Sequence, residues 1–146
     1  MKSSARLASL LDALHRRLRD VERGALARQP GLRGVTPGDL RVLRAVDRVG
    51  ASGVSAVALH LGTSQPAATV AVARLEGRGL VVRATNAADG RRKALALTTK
   101  GRQIEQAHQL ADADVAEAIL SAVPKNDRAL LIDLLEKVTK GEPQPA

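Results

Sequence analysis

A helix followed by a basic hairpin, in residues 63–100, constrains the fold of this chain more than any other segment. Apolar residues at spacings of 3, 4 and 7 predict a helix over residues 64–77. Two strands, residues 81–85 and 93–98, flank a polar and basic tip at residues 86–92. Such a helix fits the major groove of DNA, and such a hairpin can reach phosphates or the adjacent minor groove.

The two sides of the predicted helix differ in composition. Ala68, Val72 and Leu75 are predicted to pack inward, whereas the opposite side contains no Asp or Glu and can approach a polyanion. The candidate DNA-contacting residues of this helix are Ser64, Gln65, Ala67, Thr69, Val70 and Arg74. The alternative interpretation is a helix of small residues that is packed on both sides.

The hairpin tip combines a turn signal with concentrated positive charge. Asp89-Gly90 is a turn dipeptide, and three cations follow it at once, namely Arg91, Arg92 and Lys93. The Asp89 carboxylate can accept hydrogen bonds from the Arg91 guanidinium and hold it extended, which suits insertion into a narrow minor groove. The alternative is an ordinary solvated turn that carries surface charges.

These motifs, in this order and at this spacing, resemble those of the MarR family of winged helix-turn-helix transcriptional regulators. The matching segments are Ser64-Gln-Pro-Ala-Ala-Thr69, Arg74-Leu-Glu-Gly-Arg-Gly-Leu-Val81, Asp89-Gly-Arg91 and Leu97-Thr-Thr-Lys-Gly101. The resemblance implies that Arg91 is the minor-groove arginine of the wing and that Asp89 orients it. It also implies a mainly α fold with a small β-hairpin, in which a winged helix-turn-helix lobe is joined to a helical dimerisation module.

Val70 departs from the family pattern, because family members often carry a basic or polar residue at this position. A valine can contact a thymine methyl group but cannot donate a hydrogen bond to guanine. We therefore expect limited direct base readout by this residue, with specificity depending on DNA shape and on wing contacts.

The predicted organisation is a single MarR-like domain, residues 1–146, whose ends supply the dimerisation helices. Leucines at spacings of three and four mark the first helix, and Thr36-Pro-Gly-Asp39 is a capping-box start for the next one. The predicted dimerisation helices are residues 5–28, 99–122 and 126–139. The predicted DNA-binding lobe is residues 36–98, and residues 141–146 are expected to form a frayed tail.

Several local expectations follow for the lobe. Val54 is predicted to form a very short strand that pairs with the hairpin, and Ser55 to cap a short helix that ends at Leu61. Arg44 is expected on an outer face available to phosphates. The residues considered for phosphate contacts are Arg44, Arg78 and Arg83.

Composition excludes several classes of function. The 146 residues carry a formal charge of +8, which favours a nucleic-acid partner. The absence of Cys excludes disulfide and thiol chemistry, and the absence of aromatic residues disfavours modules that stack bases on rings. His15, His60 and His108 lack metal-ligand spacing and are expected to be ordinary, partly exposed histidines. We therefore expect no metal, no cofactor and no enzymatic activity; the absence of a signal-peptide pattern predicts a cytoplasmic location.

The sequence thus favours a homodimeric repressor that binds a palindromic operator in double-stranded DNA, away from membranes. The family resemblance further implies a pocket for a small anionic aromatic effector, in which Arg16 or Arg17 meets a carboxylate. The main alternative is a non-specific architectural protein of the nucleoid, and a protein-interaction module without a DNA role is a third hypothesis.

Overall fold

The computed structural model describes residues 2–85 and 93–141, apart from the side chain of Thr85. Its architecture is mainly helical with one antiparallel hairpin, as predicted. The elements in chain order are α1 (Lys2–Ala27), α2 (Pro37–Val49), α3 (Val54–Leu61), α4 (Gln65–Gly77), β1 (Val81–Thr85), β2 (Lys93–Leu97), α5 (Thr99–Ser121) and α6 (Arg128–Lys140). Short 3-10 helices occupy Pro30–Leu32, Gly50–Ser52 and Lys125–Asp127.

The chain divides into two compact units. We call Leu26–Ala111 the lobe, and the combination of Met1–Ala25 with Asp112–Ala146 the helical module. The lobe contains the short helices and the hairpin. Among the described residues, no helix is long and apolar enough to cross a membrane.

Helix α2 begins at the predicted capping box. The Thr36 hydroxyl accepts a hydrogen bond from the Asp39 backbone N–H at 3.1 Å, and the Asp39 carboxylate accepts one from the Thr36 backbone N–H at 3.1 Å. Pro37 occupies the first helical position, where a missing N–H has no cost. The helix buries Leu40 and Leu43 in the core of the lobe.

The prediction of a strand at Val54 is wrong, because Val54 is the first residue of α3. Gly53 takes a positive φ of 90° and turns the chain directly from the preceding 3-10 helix into α3, which leaves no extended residue. Ser55 therefore lies inside α3 and does not cap it. Gly62 ends α3 in the left-handed conformation, and Ser64 caps α4 by accepting from the Ala67 N–H at 3.3 Å.

One face of the hairpin is apolar. Val81 pairs with Leu97 and Arg83 with Leu95, and Leu95 and Leu97 are both buried. The strand β2 ends one residue earlier than predicted, because the Thr98 side chain bonds to the backbone on both sides of the hairpin's exit. Its hydroxyl donates to the Gly79 carbonyl at 2.7 Å and accepts from a backbone N–H of α5 at 3.1 Å.

Gly101 fits so closely against the start of β1 that a side chain has no room. A Cβ added at Gly101 would lie 2.1 Å from the carbonyl oxygen of Leu80, which also accepts from the Thr98 N–H. We expect Gly101→Ala to lower the free energy of unfolding by about 3 kcal/mol, the upper end of the usual cost of overpacking. Urea denaturation at fixed protein concentration measures this change.

Gly77 provides the matched control for that substitution. It is also a helical glycine, but a Cβ there meets no atom within 4 Å. Gly77→Ala should stabilise the protein by about 0.5 kcal/mol, because alanine is the better helix former. An equal response of the two variants would show that the contact with Leu80 does not constrain the fold.

The helical module leaves much of its apolar surface uncovered. In the described part of α6, no residue is buried. Large aliphatic side chains between 40% and 77% exposed occur on both terminal helices of the module, namely Leu7, Leu10, Leu11, Leu14, Leu130, Ile132, Leu134, Leu135 and Val138.

Candidate nucleic-acid interface

Helix α4 presents the predicted contact face to solvent. Gln65, Ala67 and Arg74 are exposed, and Val70 is 71% exposed, whereas Ala68, beside them in the sequence, is buried. Ser64 precedes the helix as its cap and is also exposed. The predicted division of this helix into an inner and an outer side is therefore confirmed.

The hydroxyl groups on this face are partly committed to the helix backbone. Thr69 is partly buried, and its hydroxyl donates to the Gln65 carbonyl oxygen at 2.9 Å, so its oxygen can only accept from a partner in this arrangement. Ser64 Oγ accepts from a backbone N–H and keeps its own proton for donation. Thr69 is thus suited to a donor such as a base amino group, and Ser64 to an acceptor such as a phosphate.

Two arginines of α4 and its C-terminal end converge on the buried carboxylate of Asp39. Arg74 Nη2 donates to Asp39 Oδ1, and Arg78 Nη1 donates to Oδ2 at 2.9 Å. Arg78 Nη2 also donates to the Gly34 carbonyl at 3.0 Å. Asp39 therefore joins the start of α2 to α4, and it neutralises part of the charge that Arg74 would bring to a DNA groove.

Asp39 remains ionised in this environment. Its burial would raise the pKa of the carboxyl group, but the hydrogen bonds from Thr36, the positive charge of Arg74 and the hydrogen bond from Arg78 outweigh burial and hold the pKa below its ordinary value. The sequence predicts the capping role of Asp39 but not its ion pairs. The spacing of Arg74 and Arg78, one helical turn apart on α4, is the only local signal for them.

Arg44 does not lie on an outer face, and that prediction is wrong. Its Nε donates to Glu105 Oε1 at 2.9 Å, and its Nη2 lies 3.0 Å from His108 Nδ1. Glu105 and His108 are both buried, so His108 is not the partly exposed histidine that was expected. A buried carboxylate needs a cationic partner, and the long side chain of Arg44 reaches from α2 to supply it.

The other two residues considered for phosphate contacts also have intramolecular partners. Arg83 Nε donates to Glu76 Oε1 at 2.6 Å, and Arg78 is held by Asp39 as described. Both guanidinium groups remain partly exposed, at 31% and 39% of the side chain, respectively. Arg83 and Arg78 therefore add some positive potential at the surface, although each forms an ion pair with a carboxylate.

One cleft brings the first residue of α4 together with the first residue of β2. It has a volume of about 480 Å³, and Gln65 and Lys93 line it with Arg83, Ser52 and Ser55. Residues 53–56 line it too, where α3 begins without a side-chain cap. Among the described residues, none that line this cleft is acidic. Hydroxyl groups and cations in one concave surface suit a phosphate group.

The remaining predicted site residues do not line this cleft or fall outside the described residues. Asp89, Arg91 and Arg92 fall outside the described residues. Arg16 and Arg17 are exposed on α1 in the helical module, where Arg16 pairs with Asp12. In residues 2–85 and 93–141, no three His, Asp or Glu side chains are grouped in a way that could hold a metal ion.

The α3–α4 pair followed by the hairpin defines a winged helix-turn-helix protein. The sequence model of the MarR family matches residues 33–92. A curated relative from Thauera aromatica, a putative transcriptional regulatory protein for the hcr operon, is 33% identical over 109 residues. That match covers 72% of this chain, and the chain spans only 63% of the relative's length.

Solved structures agree with this classification. MarR of E. coli in its apo form is 26% identical, with a TM-score of 0.71 and coverage of 90% of this chain and 96% of that one. A MarR family protein of Bacillus stearothermophilus has a TM-score of 0.78 at 23% identity, with coverage of 96% and 95%. FabT of Streptococcus pneumoniae in complex with DNA has a TM-score of 0.74 at 19% identity, with coverage of 94% and 95%. The latter two likenesses show the fold alone. The family model, the Thauera aromatica relative and MarR of E. coli place the chain in the MarR family.

Proposed function

We propose that this protein is a transcriptional regulator that binds double-stranded DNA through α4 and the hairpin. The observation that carries the proposal is the exposed, acid-free face of α4, where Gln65 shares a cleft with Lys93. The small side chains of Ala67 and Val70 let the helix backbone approach the base edges closely. The capped N-terminal end of α4 adds a positive partial charge directed toward the DNA.

The relatives support this proposal. FabT, which shares the fold, was solved in complex with DNA, and the Thauera aromatica relative is described as a transcriptional regulatory protein. In the proposed complex, Ser64, Gln65, Thr69 and Val70 occupy the major groove. Arg91, oriented by Asp89, enters the minor groove, and Arg92 and Lys93 contact the backbone.

We further propose that the active species is a homodimer that acts as a repressor. The uncovered aliphatic side chains of α1 and α6 provide the surface for a second copy. Two-fold symmetry then requires an imperfect palindrome with half-sites about one helical turn, roughly 10 bp, apart. A small anionic aromatic effector, bound near Arg16 or Arg17, would regulate the affinity for DNA.

Selection of bound sequences from a random duplex library tests the function at about 0.15 M salt, where non-specific binding is already weakened. A recovered palindrome is the expected result, with a thymine preference at the base that Val70 contacts. Uniform recovery, with affinity that collapses as salt rises, would instead identify a non-specific architectural protein. No binding at any salt concentration would exclude both.

Arg91→Ala should weaken operator binding about tenfold or more and reduce the slope of log K against log salt by about 1. The physical reason is the loss of one cation that releases counterions from the DNA. Fluorescence anisotropy at several salt concentrations measures both quantities. The matched control is Arg102→Ala, which removes an exposed cation of α5 and should change neither. An Arg91→Ala protein with wild-type affinity and slope would contradict the wing assignment.

A further inference from the structure

We propose that Thr69 determines part of the sequence specificity of α4, because its hydroxyl group accepts a hydrogen bond from the amino group of a base and rejects a keto oxygen. Adenine and cytosine present an amino group in the major groove, whereas guanine and thymine present an acceptor oxygen there. The inference rests on the proposed DNA binding by α4. It adds the chemical group of DNA that this residue recognises.

The hydroxyl proton of Thr69 is already used within the helix. Its Oγ1 lies 2.9 Å from the Gln65 carbonyl oxygen, one turn earlier in α4. A carbonyl oxygen has no proton to donate, so the hydroxyl group must be the donor in this contact, and the lone pairs of Oγ1 can only accept. Threonine commonly forms this bond in helices, and Thr69 is partly buried, which restricts its rotation.

The outer side of α4 offers no competing acceptor close to Thr69. Ala67 and Val70 have no polar side-chain atom, and Arg74 carries only donors. The two remaining polar residues of this side are the cap and the first residue of the helix, at least one turn away at its N-terminal end. In α4, all of whose residues the structure describes, Thr69 therefore carries the acceptor at the centre of the exposed side.

A keto oxygen opposite Thr69 would be unfavourable. Two acceptors would then face each other without a proton between them, unless the hydroxyl group broke its bond to Gln65 and turned outward. Either arrangement has one hydrogen bond fewer than the contact with an amino group. We therefore expect amino bases to be preferred about fivefold at one position in each half-site, the effect of one ordinary hydrogen bond.

Val70 restricts which base can supply the amino group. Its side chain is 71% exposed and suits a thymine methyl group. Thymine carries an acceptor oxygen beside that methyl group, so one thymine cannot satisfy both Val70 and Thr69. The amino group must come from another base, which is either the adenine paired with that thymine or a neighbouring adenine or cytosine.

Selection from a random duplex library with the wild type, Thr69→Val and Thr69→Ser tests the inference. Valine has nearly the shape of threonine but no oxygen, whereas serine keeps the hydroxyl group. The wild type should favour adenine or cytosine over guanine or thymine about fivefold at one position of each half-site. Thr69→Val should abolish that preference and leave the other positions unchanged, and Thr69→Ser should retain it.

A base analogue tests the same contact from the side of the DNA. Purine in place of adenine, or pyrimidinone in place of cytosine, removes the amino group at the position found. Fluorescence anisotropy should show about fivefold weaker binding by the wild type and a smaller loss for Thr69→Val, so that the two changes are coupled.

Thr139→Val is the matched control. The Thr139 hydroxyl group also donates to a carbonyl oxygen of its own helix, that of Glu136 at 2.9 Å, but it lies in the helical module. This variant should keep the base preference of the wild type.

The possible outcomes separate this inference from the proposed function. An operator recovered with the same base preference by the wild type and Thr69→Val would overturn the inference and leave the proposed regulator intact. A preference for guanine or thymine that depends on Thr69 would also overturn it, because the hydroxyl group would then be a donor. Uniform recovery by the wild type would overturn both the inference and sequence-specific regulation.

Discussion

Asp39→Asn is expected to lower the free energy of unfolding by about 2 kcal/mol, within the range for loss of hydrogen bonds to charged groups. The Asp39 carboxylate is buried and accepts from Arg74, Arg78 and the Thr36 backbone. Asparagine keeps the shape but loses the charge and one acceptor oxygen. The half-exposed arginines can turn to solvent, so the loss is smaller than for a fully buried ion pair.

The pH dependence of stability provides a second measurement on the same variant. The pKa of Asp39 in the folded protein lies below 3.8, so its ionised form stabilises the fold. This stabilisation is fully present above the unfolded pKa, near 4, and is lost as pH falls through the lower folded pKa. The difference in stability between wild type and Asp39→Asn should therefore be constant above about pH 5 and shrink below pH 4.

The same substitution should also change DNA binding. Loss of the carboxylate releases Arg74 at the exposed face of α4, where it can contact a phosphate without reading sequence. We expect the slope of log K against log salt to steepen by about 1, and affinity for random DNA to rise relative to the operator. Anisotropy titrations with both duplexes measure this ratio.

Asp47→Asn is the matched control, because Asp47 is an exposed acid on the same helix. It should leave the free energy of unfolding and the ratio of operator to random-DNA affinity unchanged. A protein with Asp39→Asn that keeps the wild-type stability and the wild-type ratio would show that the carboxylate neither fixes α4 nor restrains Arg74.

Features of the fold encoded by short-range sequence patterns were predicted correctly. The Thr36 capping box and the inward positions Ala68, Val72 and Leu75 of α4 each depend on residues no more than four positions from the next. The physical interactions they encode are equally local, so spacing alone identifies them. Gly53 shows where short-range patterns are insufficient. Its positive φ starts a helix at Val54, where a strand was predicted, and no neighbouring residue in the sequence indicates that conformation.

Long-range ion pairs could not be predicted in the same way. Arg44 and Glu105 are 61 residues apart, and Arg74 and Asp39 are 35 apart. Each arginine occupies a polar position of its helix, which predicts only that it avoids the core. Whether it then faces solvent or an acid depends on how helices pack, and that packing is a property of the whole lobe.

The exposed leucines of α6 lead to the prediction with the largest expected effect on DNA binding. Leu134→Glu should convert the proposed homodimer into a monomer, because Leu134 lies with Leu130 and Val138 on one stripe of α6 and all three are at least 49% exposed. Burying a charge in that interface without a partner would cost more than the contact contributes. Light scattering after size exclusion measures the change in mass.

Loss of the dimer should reduce affinity for a full palindrome about 100-fold or more, since two linked half-site contacts become independent. Affinity for an isolated half-site should stay the same, which separates loss of dimerisation from damage to the lobe. Leu59→Glu is the control, because Leu59 is 84% exposed but belongs to α3 in the lobe. If the Leu134→Glu protein remained dimeric, or if the wild type were a monomer that bound the palindrome equally well, the uncovered face of α6 would not be a dimer interface. With the expected result, two copies of α4 would be held at the spacing that a palindrome requires.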